Sequence, residues 1–265
     1  MPPSGFELLS KEPLVFGWRG FASAAECDQL VAHGQAAAEF ATSSGSQMVY
    51  GVEGFSRVLQ MNGKVYADVS KALEELATMD TVAQALVERF DRKVAEFMNV
   101  TASDEQWQSV VHCTPMTADA APGLLNGLHV DTFNNAKLRF ATSLLYLKTI
   151  ERGGETLFSQ ASDTGASLLE NGIESTLQDD CHHTSRLELE ADCRALVPPA
   201  QGTLLLFYVR RPDGHVDPAA FHGSARPLSC DKWTLQTFWA APVGACPQSF
   251  ARQCHAQRTA RESPK

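Results

Sequence analysis

Residues 127–158 read GLHVDTFNNAKLRFATSLLYLKTIERGGETLF. The central run KLRFATSLLYLK (137–148) is rich in β-branched, aromatic and aliphatic residues, and turn-forming Asn and Gly flank it, so it predicts a strand. Just upstream, His129 and Asp131 stand two positions apart. Residues i and i+2 project from one side of a strand but diverge on a helix, so the pair predicts a strand that offers an imidazole and a carboxylate to the same space. A third ligand must then arrive from a distant strand, and His222 in HGSARPLSCDKWTLQTFW (222–239) is the candidate. Two neutral histidines and one carboxylate form a facial triangle that suits Fe(II) and leaves positions open to oxygen and an organic acid.

Eight histidines and fourteen aspartates give about 0.4 His-x-Asp matches by chance, so context must decide between candidates. His215-Val-Asp217 repeats the tripeptide, and His255 with Lys265 repeats the ten-residue spacing of His222 and Lys232. The first duplicate lies in RRPDGHVDPAAF, where Pro212, Asp213, Gly214 and Pro218 predict turns. The second ends in a polar tail. Lys232, by contrast, opens the strand-like KWTLQTFWAA, where an ammonium is costly to bury unless a carboxylate pairs with it.

These motifs together resemble the core of prolyl 4-hydroxylase-type oxygenases dependent on 2-oxoglutarate and Fe(II). In that family the first stretch carries His-x-Asp, then Arg-x-x-Thr with a tyrosine four residues on, then Gly-Gly-Glu-Thr. The second carries a GxxLLF strand, a DGxxD turn, the distal histidine and a lysine ten residues beyond. All have counterparts here, and PLVFGWRGFASAAECDQLV (13–31) is similar to the family's opening strand and first helix, so the resemblance covers most of residues 12–242.

The resemblance implies that His129, Asp131 and His222 bind iron and act as the catalytic centre. Lys232 holds the far carboxylate of 2-oxoglutarate, with Tyr146 as a hydrogen-bond partner. Thr142 and Tyr146 share strand parity, as do Lys232, Thr234 and Gln236, so these five are expected to point into one barrel, with Thr142 and Thr234 as further cofactor contacts. The implied reaction is hydroxylation of an unactivated C–H bond with Fe(II), 2-oxoglutarate and O2, giving succinate and CO2, with ascorbate as reductant. Departures from the family pattern bear on substrate. WQSVVHCTPMTADAAPGLLNG (107–127) lacks the usual tyrosine and glycine-glutamine turn and has His112 in that region, and Asp231 stands where a glycine usually precedes the lysine. They favour a free amino acid or small metabolite over a peptidyl proline. A peptidyl prolyl 4-hydroxylase and a non-catalytic binding module with the same barrel are the alternatives. A cupin fits less well, since its histidines cluster more closely around a glutamate.

The fold expected is α+β, a double-stranded β-helix (jelly roll) with N-terminal supporting helices. Residues 1–106 supply a strand and helices of the same domain, 107–245 the β-helix core, and 246–265 a flexible tail. Ser23-Ala-Ala-Glu26 reads as a capping box opening a helix to about Phe40, with Cys27, Leu30 and Val31 on one face. Val82, Leu86, Phe90, Val94 and Phe97 predict a second helix over 81–98. ATSSGSQMVYGVEGFSRVLQ (41–60) reads as a strand with flexible flanks that lines or covers the site. The polar insertion 159–195 reads as a partly helical lid. Within it, Cys181, His182, His183 and Cys193 lack CxxC spacing and read as loop rather than zinc site.

At 265 residues and 44% hydrophobic, the chain can bury one large core. A net charge of −9 argues against generic affinity for nucleic acid or anionic membrane. Seven cysteines without paired spacing predict reduced thiols, and no basic leader or long apolar span is evident, so a cytoplasmic protein acting on a small molecule or peptide is expected. The sequence leaves the oligomeric state open.

Overall fold

Alternation along the strands sets the architecture. The computed structural model describes residues 5–43, 55–61, 81–101, 107–113, 129–131, 133–134, 137–158, 161, 195–241, 249–253 and 255. Its strands are β1 (Glu7–Lys11), β2 (Leu14–Trp18), β3 (Phe55–Met61), β4 (Trp107–Cys113), β5 (Phe133–Asn134) and β6 (Lys137–Tyr146), followed by β7 (Thr156–Phe158), β8 (Ala195–Val197), β9 (Leu204–Tyr208), β10 (His222–Ser224) and β11 (Lys232–Ala240). The helices are α1 (Ala24–Ser43) and α2 (Thr81–Met98).

The major sheet runs β1-β2-β9-β6-β11-β4-β3, with β5 paired to β6, and the minor sheet runs β10-β7-β8. Their strand pairings are antiparallel. Successive side chains on a strand face opposite ways, so the major sheet feeds two cores. Ala141, Leu145, Leu147, Leu204, Leu206, Trp233, Leu235 and Trp239 point to one face and pack with Leu30 of α1 and Leu86 and Phe90 of α2. The intervening Tyr146, Leu205 and Phe207 point the other way and meet Phe158 and Val197 of the minor sheet. Each fully buried Leu or Phe contributes roughly 1.5–3 kcal/mol of transfer free energy. The helices therefore brace one face and leave the other to form the space between the sheets.

The capping box forms as read. The Ser23 amide donates to Glu26 Oε2 at 2.8 Å, and the Glu26 amide donates to Ser23 Oγ at 3.3 Å. Arg89 Nη1 of α2 reaches Glu26 Oε1 at 2.7 Å, which ties the second helix to the first turn of the other. At Gly34 α1 passes close against the sheet, for a Cβ there would lie 2.8 Å from Trp233 Cζ3.

Four expectations need adjustment. α1 continues to Ser43 rather than stopping near Phe40. Val82 is exposed and Ala83 buried, because the buried stripe of α2 enters its first turn one position later. Of the 41–60 stretch, residues 55–60 form most of β3, while 44–54 lie outside the described residues. Of the expected loose tail, residues 249–253 and 255 are described, and Phe250, Ala251 and His255 are anchored. Phe250 packs edge-on against Phe140, Ala251 is fully buried, and the His255 ring lies 4.7 Å from that of Tyr208. His255 Nε2 also sits 3.1 Å from the Arg210 carbonyl. A few apolar contacts hold a segment whose average composition is polar. Residues 162–194, with Cys181, His182, His183 and Cys193, lie outside the described residues, so the lid reading falls there too.

Candidate active site

His129 and His222 are brought together by the backbone. Each donates its amide to the other's carbonyl at 2.9 Å, an isolated antiparallel bridge that extends β10 toward residue 129. Direct partners in such a bridge put their side chains on the same face, and the two rings lie 4.6 Å apart. Asp131 completes the group. Its Oδ2 is 3.4 Å from His222 Nε2, and its Oδ1 is 3.6 Å from His129 Nε2. One ligand atom from each of the three lies within 4.8 Å of the other two, the one such cluster among the described residues.

The donor set fits a divalent metal. His222 Nδ1 faces the Ala220 carbonyl at 3.0 Å, which holds Nδ1 as a donor and turns Nε2, the nitrogen open to a metal, toward Asp131. Phe158 and Phe207 wall the His222 ring. Burial pushes the Asp131 carboxyl up, but His222, His129 and Arg139 beside it outweigh this and hold it well below the usual carboxylate range. A buried carboxylate held anionic between two imidazoles is what a hard divalent cation needs. Thr142, expected among the cofactor contacts, instead donates its hydroxyl to Asp131 Oδ2 at 2.8 Å. Arg139 lies on the other side, with Nη1 3.6 Å from Asp131 Oδ1 and its guanidinium 3.6 Å above the Phe238 ring.

A second buried polar group lies between the sheets. Lys232 is 6% exposed, and its Nζ donates to the Gly154 carbonyl at 2.6 Å and to Ser224 Oγ at 2.7 Å. Burial lowers its pKa to about 8, an effect partly opposed by Cys113 and Glu155. The Tyr146 ring stands 5.7 Å from this ammonium, and the Tyr146 hydroxyl donates to Thr156 Oγ1 at 2.7 Å. Thr156 and Ser224 are direct partners across β7 and β10, so both hydroxyls project from the minor sheet toward the ammonium. The Gly-Gly-Glu-Thr turn makes this possible. Gly153 has φ +77°, and a Cβ there would lie 2.1 Å from the Arg226 carbonyl oxygen.

Of the residues singled out by sequence, Tyr146, Lys232 and Thr234 gather at this second group, Thr234 as the buried strand partner of Tyr146. Gln236 follows with the same parity, half-buried. The duplicate tripeptide is a turn: Asp217 Oδ1 accepts from the Ala219 amide at 3.0 Å, and the His215 amide donates to Asp213 Oδ1 at 2.9 Å. The two departures, His112 and Asp231, are partners. His112 Nε2 lies 3.0 Å from Asp231 Oδ2, and its ring stacks on Trp233 at 4.2 Å, on the helix-facing side and away from the metal-capable cluster. Sequence reasoning assigned no role to Arg139, Thr156 or Ser224. For Ser224 the signal was its parity with His222, the same i, i+2 rule that paired His129 with Asp131.

No protein-family model matches the chain. Among curated sequences, Probable prolyl 4-hydroxylase 3 of Arabidopsis thaliana is 26% identical over 235 residues, 88% of this chain and 71% of that protein. Prolyl 4-hydroxylase 13 of the same plant is 31% identical over 117 residues, 42% of this chain and 36% of that one. Among solved structures, the 2-oxoglutarate complex of the viral collagen prolyl hydroxylase from Paramecium Bursaria Chlorella virus-1 aligns with TM-score 0.47 and 18% identity, covering 86% of this chain and 95% of that one.

Proposed function

We infer that this chain is a prolyl 4-hydroxylase-like oxygenase that depends on Fe(II) and 2-oxoglutarate and hydroxylates an unactivated C–H bond. Sequence similarity along most of the chain supports the class. The observation that carries the site assignment is the buried Lys232 ammonium, whose hydrogen-bond acceptors among the described residues are neutral, in the same inter-sheet space as the His129, Asp131 and His222 cluster. Glu155 offsets the burial of this cation only in part, so the site calls for a further anion, and a dicarboxylic 2-oxo acid anchored at a metal supplies one.

On this reading His129, Asp131 and His222 hold the iron, and Thr142 keeps the Asp131 carboxylate turned toward it. Lys232 takes the far carboxylate of the cosubstrate, with Tyr146 and Thr156 as a hydroxyl relay alongside and Thr234 as a flanking contact. Bound Fe(II), together with 2-oxoglutarate and O2, supplies the oxidising chemistry and yields succinate and CO2, with ascorbate as the accessory reductant. Phe158 and Phe207 keep water from the buried side of the centre. The two facing sheets are read as the halves of a double-stranded β-helix, with 1–106 as its support and 107–245 as its core.

For the substrate, a free amino acid or small metabolite is the first reading and a prolyl residue in a peptide the second. His112, in the region where the resembled family carries a tyrosine, stacks on Trp233 on the helix-facing side and leaves the inter-sheet space without that tyrosine. No helix among the described residues is long and apolar enough to cross a membrane. Cys27, Cys113 and Cys230 are free thiols, which supports a reducing, cytoplasmic setting.

The test is succinate formation with iron, ascorbate and 2-oxoglutarate, combined with a search for mass gains of about 16 Da across amino-acid, metabolite and prolyl-peptide panels. His129→Ala and Asp131→Ala are expected to abolish substrate-dependent succinate. Turnover retained in either variant at full iron occupancy overturns the assignment.

A further inference from the structure

We propose that Ser224 is a specificity residue that binds the far carboxylate of 2-oxoglutarate beside Lys232 and makes the enzyme select a dicarboxylic over a monocarboxylic 2-oxo acid. The inference rests on the cosubstrate reading given above.

A lysine Nζ carries three N–H groups. In this chain one points to the Gly154 carbonyl at 2.6 Å and one to Ser224 Oγ at 2.7 Å, and no third acceptor is recorded among the described residues. Lys232 therefore offers a single hydrogen bond and its charge, which is enough for one carboxylate oxygen. The second oxygen needs another donor. The Tyr146 hydroxyl already gives its proton to Thr156, whose own proton can meet one lone pair of the carboxylate and leaves others to be met.

Ser224 is placed to supply that donor. Its oxygen accepts from Lys232, so its own proton is still to be used, and in this structure that proton goes to the adjacent Ala225 carbonyl across a long 3.3 Å. A hydroxyl–carboxylate bond is shorter and about twice as strong as a neutral one. Rotation of the hydroxyl toward an arriving carboxylate exchanges a weak bond for a strong one without disturbing the bond from Lys232. The backbone fixes the position, because Ser224 pairs directly with Thr156 in the sheet register and lies two residues from His222. The candidate metal ligand and carboxylate donor thus share one strand, two residues apart.

The test is titration calorimetry on the Ni(II)-loaded full chain with two probes, 2-oxoglutarate and 2-oxobutyrate, which keeps the chelating end and lacks the far carboxylate. Ser224→Ala is expected to weaken 2-oxoglutarate about 10-fold, leave 2-oxobutyrate unchanged and retain Ni(II), while Ser224→Thr keeps 2-oxoglutarate within about 3-fold of wild type. Unchanged 2-oxoglutarate affinity in Ser224→Ala overturns the proposal, as does equal loss of both probes. Lys232→Ala separates this outcome from failure of the cosubstrate reading. If wild type does not prefer 2-oxoglutarate over 2-oxobutyrate and Lys232→Ala changes neither, that reading falls and the role of Ser224 falls with it.

Discussion

His129 and His222 are each other's backbone partners, joined by two 2.9 Å hydrogen bonds. The bridge delivers the distal ligand across the long intervening stretch and turns both imidazoles the same way. The geometry of the site thus depends on the sheet register as much as on the ligand side chains.

Metal binding should therefore stabilise the fold. A ligand that binds only the folded state at 100 times its Kd adds about 2.7 kcal/mol. Thermal melts with Ni(II) or anaerobic Fe(II) are expected to shift upward for the wild type and to stay put for His222→Ala. An equal upward shift in that variant means the metal binds elsewhere.

Thr142 should govern metal affinity more than cosubstrate affinity, because its hydroxyl is on Asp131 Oδ2 at 2.8 Å. Loss of a residue that orients a ligand typically costs 10–100-fold in metal affinity. Thr142→Val keeps the shape and removes the donor, so competition against a chelator should show a loss in that range, with Thr142→Ser recovering most of it. A change in 2-oxoglutarate affinity alone returns Thr142 to the cofactor contacts.

The metal-capable cluster and the buried lysine were legible in the sequence because short, fixed spacings survive as local patterns, although the strand expected at His129 and Asp131 is reduced to a single bridge at His129. Parity also placed Thr142, Tyr146, Lys232 and Thr234. What could not be read was which strands adjoin. The contact of Thr156 with Tyr146 and that of Ser224 with Lys232 span only ten and eight residues, but each crosses from one sheet to the other, and strand parity does not encode that crossing. The same limit hid the partnership of His112 and Asp231, seen separately as two departures, and the anchoring of His255 against Tyr208. The second helix was found by its period, but the edge residue Val82 was misplaced, since a stripe fixes a face and not where burial begins.

Gly153→Ala should destabilise the protein strongly. The residue has φ +77°, and the new Cβ would meet the Arg226 carbonyl oxygen at 2.1 Å, a backbone atom that cannot swing away. Left-handed strain costs roughly 1–2 kcal/mol and the steric conflict adds to it, so a loss of at least ~3 kcal/mol in denaturant melts is expected. A loss below ~1 kcal/mol would mean that this turn yields easily.

The junction of the two helices should be acid-sensitive. Glu26 is held down to about 2, first by its hydrogen bond to Arg89 and further by the Ser23 backbone and hydroxyl, against the opposing effect of burial. A depressed carboxyl contributes stability that is complete above its unfolded value near 4.5 and is lost as pH falls toward 2. Partial exposure limits the contribution to the order of 1 kcal/mol or less. Arg89→Met should thus cost about that much at neutral pH and almost nothing near pH 2, measured by urea melts at both. An equal cost at the two pH values would assign the effect to packing on Phe21.

Lys232 predicts an alkaline limit on cosubstrate binding. Burial lowers it from 10.5 to about 8, so the folded protein bears the cost of a buried ammonium in full below about pH 8, progressively less up to 10.5, and not above. Charge on this lysine is therefore a burden to the fold and an asset to binding. A dicarboxylate pairs with the ammonium and not with the neutral amine, so as pH rises past about 8 the Kd for 2-oxoglutarate should climb toward tenfold per unit. The neighbouring Cys113 thiol, itself pushed up to about 11 by burial, stays protonated through this window and does not mask the effect. Titrations of the Ni(II)-loaded protein between about pH 7 and about 9.5 check it, with 2-oxobutyrate as the control that should show no such rise. A parallel rise for both acids would place the titrating group at the metal rather than at Lys232.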